Sequence, residues 1–313
     1  MRLIHTLDEA RSDPAVRGGV VAIGNFDGVH RGHRRMIDTL TAQARDRGAA
    51  AVVLTFDPHP IALLAPDRLP PSLSTLERKA ELLAEAGADV LFACRTTRDL
   101  LDLTAEEFFG QVLVDALAAS GLVEGPNFRF GRDRGGDVDT LRTLCGAAGM
   151  SLTVLEPVAI DGEMVSSSRI RTAIGEGRIG DAVRMLGHLY ELRGTVVRGD
   201  ARGRTLGFPT ANLSGVATLL PPDGVYAGVC HVDGSPHAAA LNVGGNPTFG
   251  VTERKVEVHL AGFEGDLYGC PLAVRLVDRI RGTLPFEGAD ALRRQIGEDV
   301  AAAVALAKPH ATP

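Results

Sequence analysis

The chain has 313 residues, a length that suggests two domains, and its 45% hydrophobic and 23% charged residues are ordinary for a globular protein. The formal charge of -6 argues against a general nucleic-acid binder, and no run approaches 18 apolar residues, so no membrane partner is expected. Of 33 basic residues only Lys79, Lys255 and Lys308 are lysines, and none follows a glycine, which excludes a Walker-type P-loop.

In chain order, the N-terminus soon meets Asp8, Glu9, Arg11 and Asp13 and holds no apolar core of signal-peptide length, so a soluble, cytoplasmic chain is expected. Residues 19–23 are apolar and β-branched and predict a buried strand. Residues 34–47 carry Met36, Ile37, Leu40 and Ala44 at helical spacing. Between them lies Gly24, Asn25, Phe26, Asp27, Gly28, Val29, His30, Arg31, Gly32 and His33. A strand, a glycine-bearing turn and a helix start place His30 and His33 where free N–H groups and the helix dipole attract phosphate. Imidazoles three residues apart share a face and can donate to one oxyanion. The plain alternative is two surface histidines on a βα turn.

A second buried strand, 49–56, ends in Asp57, Pro58, His59 and Pro60, where the prolines stop the strand and rule out a helix. His59 is either a turn residue or a site residue, and the ligand-binding end of parallel strands favours the second. A helix over 74–86, a strand over 88–93, and a helix capped by Thr104 and running through Val112, Leu113 and Leu117 follow. A short strand, 122–125, leads into Pro126, Asn127, Phe128, Arg129, Phe130 and Gly131, a turn fit for phosphate or ring binding, or a mere loop. A helix over 137–148, a strand over 151–155 and a loop or hairpin over 156–165 complete an alternating α/β pattern, hence a parallel sheet.

Val165, Ser166, Ser167, Ser168, Arg169, Ile170 and Arg171 read as a helix cap with hydroxyl donors and a guanidinium fork behind it. After a helix over 177–186 the texture changes to short β-like runs broken by glycine and proline, with helical periodicity only over 288–307. That predicts a small antiparallel barrel with a C-terminal helix and a boundary near 186–190. The barrel's densest stretch, 198–212, holds Gly203, Gly207, Phe208, Pro209, Thr210 and Asn212. Such a loop can fold around phosphates, and a threonine hydroxyl can ligate Mg²⁺. Over 256–260, Val256, Val258 and Leu260 face one side and Glu257 and His259 the other, so Glu257 is either a solvated carboxylate or a base facing a cleft. Cys94, Cys145, Cys230 and Cys270 are widely spaced and read as reduced thiols, not a zinc site.

The string from Gly24 to His33, with its His-x-Gly-His core, resembles the nucleotidylyltransferase superfamily, and 165–171 resembles that superfamily's Ile-Ser-Ser-Thr-x-x-Arg segment, with Val165 for Ile and Ser168 for Thr. Taken with 55–60, 127–131, 203–212, 223–227, 246–250 and 256–260, nearly the whole chain resembles the prokaryotic bifunctional riboflavin kinase/FAD synthetase family. The resemblance implies a nucleotidylyltransferase-type parallel-sheet domain over 1–186 that makes FAD, and a barrel domain over 187–313 that makes FMN. It implies ATP as co-substrate with Mg²⁺ held by Thr210 and Asn212, and no tightly bound redox cofactor. Glu257 would be the kinase base; His30, His33 and Arg171 would serve adenylyl transfer, with Asn127 near the ligands. The implied partners are riboflavin, FMN, FAD, ATP, ADP and pyrophosphate, and a homo-oligomer is compatible with the pattern. Two other readings stay open: an adenylyltransferase whose barrel only binds flavin, and a nucleotidylyltransferase of another small phosphate ester.

Overall fold

The computed structural model describes residues 1–199, 202–245 and 254–310, and its internal contacts divide the chain into two units, Met1–Pro70 with Leu76–Ser166 and Pro71–Thr75 with Ser167–Pro313. Asp200 and Ala201 of the glycine-rich stretch, and the segment Asn246, Pro247, Thr248, Phe249 and Gly250, lie outside the described residues.

The first unit opens with β1 (Arg2–Ile4), α1 (Leu7–Ser12), β2 (Val20–Ile23) and α2 (Arg31–Asp46). Next come β3 (Ala51–Asp57), α3 (Pro60–Leu64), α4 (Leu76–Glu85), β4 (Val90–Arg95) and α5 (Arg98–Asp102). α6 (Ala105–Phe108) continues as a π-helical stretch, Phe109–Ala116. β5 (Gly121–Glu124), α7 (Val138–Ala147), β6 (Ser151–Val154) and a hairpin of β7 (Ala159–Ile160) and β8 (Glu163–Met164) finish it. The six-stranded sheet runs β1-β4-β3-β2-β5-β6 with every pairing parallel. A parallel sheet is covered on both faces, which is why its strands read as unbroken apolar runs. One face buries Ile37, Leu40, Leu82 and Leu83 against Val53 and Leu91. The other buries Phe108, Val112, Leu113 and Leu141 against Phe92 and Leu122. Strand order reverses at β2, with β3 on one side and β5 on the other. Open α/β sheets bind ligands at the carboxyl ends of strands flanking such a reversal.

The second unit begins with α8 (Ser167–Gly175) and α9 (Ile179–Leu186), then β9 (Tyr190–Val197), α10 (Arg202–Thr205) and β10 (Ala211–Ser214). β11 (Gly224–Val232), β12 (Ser235–Gly245), β13 (Arg254–Leu260), β14 (Pro271–Arg281) and α11 (Ala289–Ala307) follow. The strands close as β10-β13-β12-β11-β14-β9, all antiparallel, so no edge is left open. α9 packs on β9 and β14, and α11 on β11, β12 and β14. The short segment Pro71–Thr75 joins this unit through Ser72, which bridges to Thr218 and accepts from the Leu219 N–H at 2.9 Å. Among the described residues no helix is long and apolar enough to cross a membrane.

The expected α/β-then-barrel architecture is what the chain forms. One local expectation is overturned: α3 begins at Pro60, because a proline at the first helical position lacks only an N–H that would be unpaired there, and His59 caps it by accepting from Ile61.

Candidate active sites

In the first unit, the turn between β2 and α2 is wound tightly. Phe26, Gly28 and Val29 have φ of 46, 77 and 39°. For a β-branched residue such as Val29 that conformation costs about 1–3 kcal/mol and persists only where the surroundings fix it. The Phe26 ring is buried and packs 5.0 Å from the His33 ring. Gly24 lies against that phenyl, where a Cβ would sit 3.3 Å from it. Asp27 is buried within the turn.

His30 is the N-cap of α2, and its Nδ1 accepts from the His33 backbone N–H at 3.3 Å. That leaves the ring proton of the neutral form on Nε2. The two imidazoles stack, with centroids 3.6 Å apart and planes 14° from parallel. Gly32 makes room for the stack, since a Cβ there would sit 3.1 Å from the His30 ring. Burial first, then His30, then Lys79 hold the His33 pKa well below the usual imidazole value. His33 is therefore neutral at pH 7 and serves as an N–H donor or acceptor, not as a cation.

A cavity of about 280 Å³ opens beside this pair, lined among others by His30, His33, Met36, Glu124, Asn127 and Val165. Glu124, at the end of β5 and 1% exposed, accepts from the Ile23 N–H at 2.8 Å and so bridges β5 to β2 where their pairing has stopped. Burial pushes its pKa well above the usual carboxylate value, against the pull of that N–H. The Asn25 amide and His59 Nε2 lie 2.9 Å apart, tying the ends of β2 and β3 together. The structure thus gathers His30, His33 and Asn127 round one cavity and Asn25 with His59 on the adjacent strand ends. Ser166 is the last residue of this unit. Ser167, Ser168 and Arg171 stand on α8 of the second unit, where Arg171 Nε donates to the Pro71 carbonyl at 2.8 Å.

In the second unit β13 buries Val256, Val258 and Leu260, while Glu257 and His259 are half-buried on the opposite face. The register sets Asn212 of β10 directly opposite Glu257 on one side and Asn242 of β12 opposite it on the other. Directly opposed residues bring their Cβ atoms to about 4.5–5.5 Å. Glu257, Asn242 and Thr210 line a cavity of about 390 Å³. The Glu257 carboxylate accepts no hydrogen bond from the described residues. The loop carrying Thr210 is fastened over β13: His259 Nδ1 lies 2.9 Å from the Pro209 carbonyl, and its ring meets Phe208 edge-on at 5.5 Å. Gly203 has no room for a side chain, since a Cβ would collide with the Phe208 carbonyl and lie 3.3 Å from Thr210 Oγ1; Gly207 has φ of 87°. A Cβ at Gly199 would land on the Asn212 amide.

The far wall of this cavity comes from α11, through Leu292 and Ile296, and from Phe286. Arg281 fixes that wall: its Nε and Nη2 grip the buried Asp299 carboxylate at 2.9 and 2.6 Å, and its guanidinium lies 5.8 Å from the Phe286 ring centre. An apolar slot with a few fixed polar groups suits a flat heteroaromatic ring. Asn242 and the Arg281–Asp299 pair escaped the sequence reading. A lone asparagine in a strand gives no signal until register places it beside Glu257, and the ion pair joins elements 18 residues apart.

The FAD synthetase family matches residues 12–169 and the riboflavin kinase family residues 186–307. A bifunctional riboflavin kinase/FMN adenylyltransferase of Escherichia coli strain K12 is 37% identical over 300 residues, covering 96% of this chain and 95% of its own. The protein of that name in Pseudomonas fluorescens is 36% identical over 312 residues, covering 99% of both. The crystal structure of a macrolide-efflux protein from Streptococcus pneumoniae superposes with a TM-score of 0.87 at 30% identity, covering 97% of this chain and 99% of its own.

Proposed function

The chain belongs to the bifunctional riboflavin kinase/FMN adenylyltransferase family, and from that premise we propose that residues 187–313 phosphorylate riboflavin to FMN and residues 1–186 transfer AMP from ATP to FMN. The observation that carries this division is the separation of the chemistries: a carboxylate with no hydrogen-bond partner among the described residues faces the barrel cavity, and stacked histidines face the cavity of the parallel sheet.

The two reactions need those different groups. The ribityl hydroxyl of riboflavin is neutral at pH 7, and Glu257 takes its proton as it attacks the terminal phosphate of ATP. The isoalloxazine ring lies in the slot under Phe286, Leu292 and Ile296. The phosphate of FMN is already anionic and needs no base. For that step His30 and His33 donate to the nucleotide phosphates at the α2 N-terminus, and catalysis rests on position and charge stabilisation. Asn127 lines the same cavity, and Asn25 with His59 ties the adjacent strand ends together.

The barrel donors fit Mg²⁺. Thr210 and Asn212 offer hard oxygen ligands beside Glu257, and Mg²⁺ with a nucleotide takes only one or two protein oxygens, the rest coming from phosphate and water. Bound there with ATP, the ion would neutralise phosphate charge. The protein's partners in this reading are small molecules: riboflavin, FMN and ATP.

Incubating the intact chain with riboflavin and Mg·ATP, and resolving the products by chromatography, tests the proposal. FMN should appear first and FAD after it. FAD formed only when FMN is supplied would reduce the barrel to a flavin-binding module.

A further inference from the structure

One half-buried cation in the first unit, Lys79, has no place in the chemistry above. Lys79 reaches from α4 toward the carboxyl ends of β2 and β3, where its Nζ lies 3.4 Å from Thr55 Oγ1. The same hydroxyl donates to the Asn25 carbonyl at 3.2 Å, and Asn25 is the residue held against His59. Lys79 is thus joined through one threonine to the turn that carries His30 and His33.

Its electrostatic surroundings are unusual. Burial lowers the Lys79 pKa, while Asp27 first and Asp57 second raise it again. Its charge is felt at His33, where it helps keep the imidazole neutral. Yet Lys79 forms no ion pair among the described residues, and its one hydrogen bond is long. An ammonium carries three donors, and sheltering it from water is costly unless a partner makes good the loss. The sequence has only three lysines among 33 basic residues, and a compact, single-point cation with spare donors is what a phosphate oxygen accepts.

We infer that Lys79 binds the polyphosphate of the nucleotide in the first unit and stabilises the departing pyrophosphate. The inference rests on the adenylyl-transfer reading. In that step a phosphate oxygen of FMN bonds to the α-phosphorus, and the bond from that phosphorus to the bridging oxygen breaks. The electron pair leaves with pyrophosphate, and Lys79 keeps its proton throughout. His33 is neutral, and Lys79 adds a compact positive charge beside the turn that carries it. Asp27 and Asp57 lie near enough to keep the ammonium protonated, yet neither occupies it as a salt-bridge partner.

The test compares Lys79→Met and Lys79→Arg with the wild type in the intact chain, by two readouts. FAD formation from FMN and Mg·ATP should fall about 100-fold or more in kcat for Lys79→Met, with Lys79→Arg retaining a measurable part. Pyrophosphate binding, read by calorimetry with Mg·pyrophosphate alone, should weaken about tenfold or more in the Met variant and less in the Arg variant. Thermal unfolding of each variant is recorded alongside. Unchanged pyrophosphate affinity in Lys79→Met overturns the inference whatever happens to turnover, because a merely structural lysine would lower activity without touching that affinity. The calorimetric arm needs no turnover. A wild type that makes no FAD would sink the adenylyl-transfer reading, while pyrophosphate binding would still decide the role of Lys79.

Discussion

His30 performs two tasks in this structure, and a pair of substitutions separates them. Its Nδ1 caps α2 and its Nε2 carries the proton offered to phosphate. His30→Ala removes both. A lost cap costs about 0.5–2 kcal/mol, and the 3.3 Å length of this one puts it toward the lower end. Emptying a site that is only 6% exposed, and stacked on His33, adds a packing loss of similar size. A total of about 1–2 kcal/mol corresponds to about 2–8 °C in the unfolding temperature of a unit this large. His30→Asn keeps a good capping side chain and loses only the imidazole donor. Both variants should slow FAD formation from FMN about 100- to 1000-fold, the usual cost of one preorganised donor to a phosphoryl or acyl transition state. Only the alanine should lose the cap's share of stability. The assay is FAD production at saturating FMN and Mg·ATP, paired with calorimetric unfolding of the same preparations. Wild-type FAD synthesis by His30→Asn would refute the catalytic half of the reasoning and leave His30 as a cap alone.

Glu257→Gln keeps the shape and removes the basicity. It should change stability by less than about 0.5 kcal/mol and slow riboflavin phosphorylation about 100- to 10,000-fold, while FAD is still made from supplied FMN; loss of both activities would indicate misfolding. Glu124→Gln should stabilise the chain increasingly as pH rises. The folded pKa of Glu124 is raised, so its contribution is whole below the unfolded value of about 4.3 and is lost as pH climbs toward the folded one. Gln can still accept from the Ile23 N–H and has no charge to gain. The gap in unfolding temperature between variant and wild type should therefore widen from pH 5 to pH 8. A constant gap would show that the carboxyl ionises normally.

How much of this was legible in the sequence depended on the range of the interaction. Local chemistry was written plainly. Thr104 and Glu107 form the reciprocal capping box that a threonine followed by acidic residues announces, and the alternation over 256–260 gave the face of Glu257 correctly. What depended on distant partners was not. β1 is three residues long, too short for a period, and exists because β4 pairs with it. β10 has the sequence Ala-Asn-Leu-Ser, poor in strand formers, yet barrel closure makes it a strand and so places Asn212 opposite Glu257. The prolines round His59 misled in another way: their effect depends on position, and Pro60 sits where a helix tolerates it. Lys79 stood out in the sequence only as one of three lysines; its approach to Thr55 depends on α4 packing against β3.

The neutrality of His33 bears on why such a site would use imidazoles. Two rings 3.6 Å apart cannot both carry charge at low cost, so the stack itself keeps the pair from holding two positive charges. A pair of fixed guanidiniums in the same place would attract every phosphate alike, substrate and pyrophosphate included. Affinity spent equally on ground state and transition state does not raise turnover. Neutral donors at a helix N-terminus gain most where negative charge concentrates, on the phosphate oxygens of the transition state. Lys79 then supplies a point charge for the leaving group, and the helix N-terminus itself need not carry one. On that reasoning His33→Arg should bind pyrophosphate more tightly than the wild type yet turn over more slowly. A variant faster than wild type would show that the site is limited by charge, not by its placement.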